Sequence, residues 1–327
     1  MFAICVESSH FRGMGHLFRA IVFYRFLMEK GERAIIIVNN DQSAVGVLER
    51  EGVAYHAVES LESDADWETE FIQSRGITVW INDRLYTDAA SAKRVAKTQA
   101  LLVFIDDWGE GAAFAEIHFA AMTFDTRIIL KGGKILRGLD YCILSPEVIK
   151  YRRHRRRLEK IAVTLGGSDT HGMTEKMMER LSTLGLTATV FLGPSHAGSD
   201  QLPDRYGDNF TFKKGVRSLT EELYHFDCAV TGGGVTAIEA AAAGLPALIV
   251  ANEPHERFTA LHLESLGCAR YLGFRNEVPY KFDFPNDAEI TAMSESGMAA
   301  VPPDGINNVY KEIKKAEKEW SRMIKSS

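Results

Sequence analysis

The sequence predicts an α/β protein with two doubly wound, Rossmann-type domains of parallel strands. Three observations support this: short apolar runs alternate with amphipathic stretches of helical length, the alternation starts again in the second half, and the basic run "KYRRHRRR" at 150–157 separates the two sets. Parallel strands are covered on both faces and therefore appear as continuous apolar runs. We predict domains over 1–150 and 151–327 that face a cleft.

The first half contains clear signals for four strands and two helices. The strand "FAICV" precedes a helix in which Leu17, Ile21 and Tyr24 are spaced three and four apart, and Gly31 follows as a stop. Next come "RAIIIVN", a helix from about Gln42 to Glu51, "ITVWIND" and "ALLVFIDD". The helices and strands alternate as in repeated β/α units.

The second half repeats the pattern. Its strands are "EKIAVTLGG", "TATVFLG", "CAVTGG" and "PALIVA", and its helices include "TEKMMERLSTLG", "LTEELYHF", "TAIEAAAAG" and "RFTALHLESLG". The final stretch "INNVYKEIKKAEKEWSRMIK" predicts a long exposed helix of the second domain.

Composition narrows the function classes. The 327 residues carry a net charge of −6, which argues against a nucleic-acid partner, so we interpret the basic run as a solvated linker. Four scattered cysteines and the absence of a secretion signal favour a cytoplasmic protein, and no apolar run reaches the ~20 residues of a membrane span. No metal-ligand spacing occurs, so we expect no cofactor and activity without added metal.

The opening loop "FRGMGHLFR" is the first candidate site. Gly13 and Gly15 allow a bulky polar group to come close to the backbone, and His16 lies at the start of a helix, where its imidazole can take a proton. The alternative is a tight strand-to-helix turn in which His16 only caps the helix. The motif alone does not decide between the two.

Two glycine-rich loops of the second half are candidate nucleotide sites. Three successive glycines are costly to order, and the helix after them points its amides at whatever fills the loop, which suits a diphosphate. Glu239 either stabilises the helix dipole or binds a ribose. The expected nucleotide-binding residues are Gly166, Gly167, Ser168, Gly232, Gly233, Gly234, Val235, Thr236 and Glu239. On this basis Gly233→Val weakens nucleotide binding while the fold survives.

A fourth loop, "ANEPHERFTA" at 251–260, places His255 and Glu256 just before a helix. Solvated surface explains most of its charged residues individually. The cluster as a whole lies where the cleft is expected.

The order and spacing of several motifs add a resemblance over nearly the whole chain. They are G-x-G-H followed by Arg19, "FIDD" at 104–107, "GLDYCILSPEV" at 138–148, "VTLGGSD" at 163–169 and "EAAAAGLPALIV" at 239–250. These motifs resemble the nucleotide-sugar hydrolases of the pseudaminic acid pathway and the related spore-coat polysaccharide proteins. The resemblance implies the two-domain architecture of GT-B glycosyltransferases.

The resemblance also implies roles. His16 would activate water at the anomeric carbon of a UDP-linked sugar, and the second domain would hold the nucleotide. The expected substrate-binding residues are Gly13, Gly15, Arg19, Asp83, Tyr86, His255 and Glu256. Two alternatives stay open: a glycosyltransferase in which His16 deprotonates an acceptor hydroxyl, and a binding protein without catalysis. The sugar, the nucleotide and the oligomeric state are not predicted.

Overall fold

The computed structural model describes residues 1–8, 14–62, 66–167, 169–193, 196, 202–206 and 208–326. They form two compact units, Met1–Ile143 with Asp304–Ser327, and Leu144–Pro303. Each unit contains one sheet in which every strand pair is parallel, as the apolar runs predict.

The first unit has a seven-stranded sheet in the order β3-β2-β1-β4-β5-β6-β7. Its strands are β1 (Phe2–Val6), β2 (Ala34–Asn39), β3 (Tyr55–Val58), β4 (Val79–Asp83), β5 (Leu101–Ile105), β6 (Ile117–Ala120) and β7 (Lys134–Arg137). Its helices are α1 (Gly15–Glu29), α2 (Gln42–Glu51), α3 (Trp67–Arg75) and α4 (Ala89–Ala96), with short 3-10 helices at Glu110–Phe114 and Leu139–Tyr141. The strand order reverses between β1 and β4, which is where ligands bind in such sheets.

The second unit has a six-stranded sheet in the order β10-β9-β8-β11-β12-β13. Its strands are β8 (Ile161–Thr164), β9 (Ala188–Leu192), β10 (Phe210–Lys214), β11 (Cys228–Gly232), β12 (Ala247–Ala251) and β13 (Ala269–Phe274). Its helices are α5 (Glu147–Lys150), α6 (Met173–Thr183), α7 (Leu202–Tyr206), α8 (Leu219–Leu223), α9 (Val235–Ala242), α10 (Pro254–Ser265) and α11 (Asp287–Ala300). Here the order reverses between β8 and β11.

Local sequence explains several helix ends. Asp41 accepts hydrogen bonds from the backbone amides of Ser43 and Ala44 and thereby caps α2. Gly31, which follows α1, has a φ of +77°, the left-handed conformation that glycine adopts without strain. This conformation ends the helix, as the sequence predicted.

The C-terminal helix α12 spans Gly305–Ser326. The sequence predicted an exposed helix of the second domain here, and the structure differs. It belongs to the first unit. The reason is an apolar face: Ile306, Val309 and Ile313 are buried in the same core as α1, and the Tyr310 ring packs edge-on against Phe26 at 5.6 Å.

The basic run is also not a solvated linker throughout. The Arg155 side chain is buried and donates hydrogen bonds to the backbone carbonyls of Phe226, Leu223 and Ala243. The Leu223 and Ala243 carbonyls lie at the C-terminal ends of α8 and α9, where the negative end of the helix dipole favours a cation. The run therefore contributes to the interior of the second unit.

Among the described residues, no helix is both long enough and apolar enough to cross a membrane.

Candidate functional site

The switch point of the first sheet brings together residues from two strands. Val6, at the end of β1, pairs with Asp83, at the end of β4, and the helix α1 that follows β1 carries His16 in its first turn. Because both strands end at the same edge, a side chain from the first turn of α1 can meet one from the end of β4.

His16 and Asp83 form a close pair. His16 Nδ1 lies 2.6 Å from Asp83 Oδ1, and the imidazole keeps 22% of its surface exposed while the carboxylate is buried. An ionised carboxylate only accepts hydrogen bonds, so we assign the proton to Nδ1. Nε2 is then the ring nitrogen that can take a proton from a substrate, which is the arrangement of a carboxylate-oriented general base.

Arg19 lies on the next turn of α1 and holds Asp83 from the other side. Its Nε donates to Asp83 Oδ2 at 2.9 Å, its Nη2 also bonds Asp83 Oδ1, and its Nη1 donates to Asp106 Oδ2 at 2.7 Å. The guanidinium is buried. Arg19 and Asp83 thus bind each other in the interior of the first unit, whereas the sequence predicted that both contact the substrate.

The charges of this cluster are mutually stabilised. Burial alone would raise the pKa of Asp83, but the charges of Arg19 and His16 outweigh burial and lower this pKa to about 2. Burial alone would lower the pKa of Arg19, but the carboxylates of Asp83 and Asp106 raise it. Asp83 is therefore an anion at neutral pH and is available to stabilise an imidazolium.

The remaining predicted residues of the first unit differ in their surroundings. Gly13 lies outside the described residues. Gly15 is the first residue of α1, and a Cβ placed on it would meet nothing within 4 Å, so packing within the chain does not require glycine there. Tyr86 follows β4 and is 51% exposed, as a residue that meets a substrate would be.

The switch point of the second sheet carries the glycine triplet. Gly232 ends β11, Gly234 precedes the first residue of α9, and no side chain caps that helix. The first amides of α9, at Val235 and Thr236, lie at its positive end, which suits a diphosphate as the sequence predicted.

Gly233 has a structural role that the sequence did not reveal. A Cβ on this residue would lie 2.5 Å from the carbonyl oxygen of Glu256 and 2.8 Å from its Cβ, both on α10. Glycine is thus required at position 233 because α10 of the same chain packs closely against its backbone. This geometry argues against the expectation that the fold tolerates Gly233→Val without cost.

We expect Gly233→Val to destabilise the protein by about 1–3 kcal/mol or more, because the backbone of α10 must shift. Gly234→Ala is the matched control, since its Cβ would meet only Glu256 Oε1, at 3.6 Å. Chemical denaturation measures the difference. Equal free energies of unfolding for the two variants would contradict the assignment.

Glu239, on α9, is a partly buried carboxyl group. Its Oε1 accepts a hydrogen bond from the Ser145 amide at 3.2 Å. Burial raises the pKa of Glu239 to about 7, which the Ser145 amide only partly offsets. A carboxyl group that is neutral near pH 7 can donate as well as accept hydrogen bonds with hydroxyl groups such as those of a ribose.

The Glu239 carboxyl predicts a pH dependence of stability. Its folded pKa of about 7 lies above the ordinary value of 4.5, so the protein loses stability as the pH rises between these values. A shift of this size corresponds to roughly 3 kcal/mol. Glu239→Gln should therefore be more stable than the parent at pH 8 and similar to it at pH 4.5, measured by urea denaturation. A constant difference across this range would contradict the prediction.

The loop after β8 is only partly described. Gly166 has a φ of +100°, and Gly167 precedes Ser168, which lies outside the described residues. The two carboxylate oxygens of Asp169 accept hydrogen bonds from the amides of Met173 at 2.7 Å and Thr174 at 2.9 Å, so Asp169 caps α6.

The fourth predicted loop forms the start of α10. Glu256 accepts a hydrogen bond from the Asn252 amide at 2.7 Å and completes a capping box with Glu253. His255 lies in the first turn and is half-buried. Capping thus explains Glu256, and its carboxylate also lies beside the glycine triplet.

The described residues contain no group of three or more His, Cys, Asp or Glu side chains that could hold a metal ion.

Comparison with known sequences gives distant relatives. No protein-family model matches the chain. It is 23% identical over 308 residues to the spore coat polysaccharide biosynthesis protein SpsG of Bacillus subtilis (strain 168), covering 84% of each chain. It is 24% identical over 276 residues to an uncharacterised protein of Methanocaldococcus jannaschii, covering 78% of this chain and 56% of that one.

Comparison with solved structures identifies the fold. MurG of Acinetobacter baumannii superimposes with a TM-score of 0.69 at 13% identity over 96% of this chain and 99% of that one. The spinosyn rhamnosyltransferase SpnG, bound to spinosyn aglycone, gives 0.62 at 13% identity over 95% and 100%. MnaA of S. aureus, bound to UDP, gives 0.62 at 12% identity over 97% of each chain. The chain has the GT-B fold.

Asp106 belongs to the first candidate site of this GT-B fold and was not predicted from the sequence. Asp106 directly follows β5, has a φ of +50°, and accepts hydrogen bonds from the Met122 amide and from Arg19, both at 2.7 Å. A non-glycine residue in the left-handed region is uncommon, and such residues cluster at functional sites. The sequence feature that could have indicated Asp106 is the pair of acidic residues in "FIDD".

The second unit contains a cluster of charged side chains that was not predicted from the sequence. His171 Nε2 lies 2.8 Å from Glu253 Oε1, and Arg275 Nη1 lies 2.9 Å from the same nitrogen. The three side chains follow β8, β12 and β13. The one sequence signal for this cluster was the position of each residue after a strand.

Proposed function

We propose that this protein is a glycosyltransferase that uses a nucleotide-sugar donor. The observation that carries the proposal is the His16–Asp83 pair at the switch point of the first sheet, with Asp83 held by Arg19. The solved structures with the same fold include a rhamnosyltransferase, which supports transfer over the hydrolysis that the resemblance implies.

In the proposed reaction, His16 acts as the general base. Its Nε2 takes the proton of an acceptor hydroxyl while the hydroxyl oxygen attacks the anomeric carbon of the donor sugar. The bond between that carbon and the phosphate oxygen breaks, and the nucleotide leaves with the electron pair. Asp83 stabilises the imidazolium that forms, as a buried carboxylate does for a catalytic histidine.

The second unit binds the nucleotide in this proposal. The first amides of α9 and its dipole receive the diphosphate, and they oppose the charge that develops on the leaving group. Glu239 binds a ribose hydroxyl. Because backbone amides neutralise the leaving group, turnover should persist after exhaustive chelation.

Hydrolysis is the second candidate. The observation in its favour is the G-x-G-H sequence that ends in His16, because the matching histidine of the resembling hydrolases is proposed to activate water. The same pair then takes the proton from water, and the products are the free sugar and the nucleotide.

One experiment separates these functions. The protein is incubated with UDP-, CMP- and GDP-sugars, each with and without a panel of saccharide acceptors, and free nucleotide is measured. Release that depends on an acceptor supports transfer, and equal release without acceptor supports hydrolysis. Nucleotide binding without release from any donor would overturn both and leave a binding protein.

A further inference from the structure

A small cavity lies inside the first unit, among residues of the sheet and of the helices α3 and α4. Its lining includes Trp67 and Glu68 of α3, Val95 of α4, Trp80 of β4, and Arg84, which follows β4. The volume open to the centre of a water molecule is about 10 Å³. A cavity of this size holds one ligand as small as water and nothing larger.

Two nitrogen donors in the lining of this cavity lack a hydrogen-bond partner. Nε of Arg84 and Nε1 of Trp67 are both buried, and neither forms a hydrogen bond within the part of the chain that the structure describes. The Arg84 residue as a whole is only 2% exposed. A buried N–H without a partner is costly, because it has lost its bond to solvent and gained no other. Since both side chains line one very small cavity, a single acceptor inside it can receive both hydrogens.

The charges around the cavity decide between a water molecule and an anion as that acceptor. The Arg84 guanidinium already faces two carboxylates, since its Nη2 lies 3.4 Å from Glu62 Oε1 and 3.7 Å from Glu7 Oε2. The buried carboxylate of Glu68, which pairs with Arg94, belongs to the lining itself. These carboxylates would repel an anion, whereas a neutral water molecule accepts the two hydrogens without that repulsion.

We infer that this cavity is a binding site for one water molecule, which accepts the Arg84 Nε–H and the Trp67 Nε1–H. The water joins the residue after Asp83 to the first residue of α3, and so holds the end of β4 against that helix. The cavity is enclosed by buried side chains, so the bound water exchanges slowly with the solvent. This site is independent of the proposed function.

Nuclear magnetic resonance of the ¹⁵N-labelled parent protein measures the contact directly. The Trp67 indole hydrogen should show a nuclear Overhauser effect to water with the sign of a long-lived contact, and rotating-frame spectra distinguish this effect from proton exchange. The Trp67→Phe variant identifies the signal, which should be missing there. The signal should remain in Trp320→Phe, the matched control, because the indole N–H of Trp320 bonds the Gln99 carbonyl instead. A Trp67 indole hydrogen without a long-lived contact to water would overturn the inference.

A crystal structure of the parent grown in sodium bromide gives a second readout that needs no variant. We expect one density peak in the cavity, within about 2.7–3.2 Å of both Arg84 Nε and Trp67 Nε1 and without the anomalous signal of bromide. An anomalous peak at this position would overturn the inference in favour of an anion. A cavity without density would overturn it in favour of two donors that stay unpaired.

Discussion

His16→Ala should lower nucleotide-sugar turnover by roughly 10²- to 10⁴-fold, the usual contribution of a positioned general base. His16 Nδ1 lies 2.6 Å from Asp83, so the parent imidazole is oriented for proton transfer at Nε2. Nucleotide affinity should stay unchanged, because the proposed nucleotide residues belong to the second unit. Steady-state kinetics and calorimetry with UDP measure the two quantities.

A control separates catalysis from folding. The His16 imidazole is partly exposed, so its removal should change the free energy of unfolding by less than about 1 kcal/mol. A variant that loses stability and UDP affinity together would show that His16 and the loop before it are needed for folding rather than for catalysis.

Arg19→Met should be the most destabilising single substitution in the first site, by about 3–5 kcal/mol at pH 7. The guanidinium is buried between Asp83 and Asp106, and its removal leaves Asp106 without its ion-pair partner and Asp83 with His16 alone. Urea denaturation measures the loss. Arg25→Met is the matched control on α1: the Arg25–Glu51 pair is exposed, so we expect a change below about 1 kcal/mol.

The loss should depend on pH. In the parent, Asp83 has a pKa of about 2, below its ordinary value of 3.8, so its stabilising contribution exists above pH 4 and is lost as the pH falls towards 2. In Arg19→Met the buried carboxylates protonate more readily. The difference between parent and variant should therefore shrink as the pH is lowered from 7 to 4. A difference that grows over this range would contradict the ionic role of Arg19.

The sequence predicted much of the fold, and it named two residues that the structure brings together at the first candidate site. Continuous apolar runs identified the parallel strands, and Gly31 was correctly predicted to end a helix. His16 was named because it lies at the start of the helix after the first strand, and Asp83 was named among the substrate-binding residues that the resemblance implies. Their contact follows from the strand order, in which β1 and β4 are neighbours.

Long-range packing explains what the sequence did not predict. Gly233 is required by the approach of Glu256, which lies on a different helix. Arg155 is buried by carbonyls from residues at least 68 positions away along the chain. The apolar residues of α12 predict one buried face, but no local signal indicates that this face packs in the first unit. Such contacts depend on which elements become neighbours.

The His16→Asn substitution tests the central claim most directly, because the asparagine amide can still donate a hydrogen bond but cannot act as a base at neutral pH. Nucleotide release from UDP-sugars is compared for the parent and His16→Asn under conditions that saturate both with donor. We predict a loss of at least about 10²-fold with unchanged UDP affinity. Full activity in His16→Asn would contradict the account and leave His16 with a structural role as the partner of Asp83.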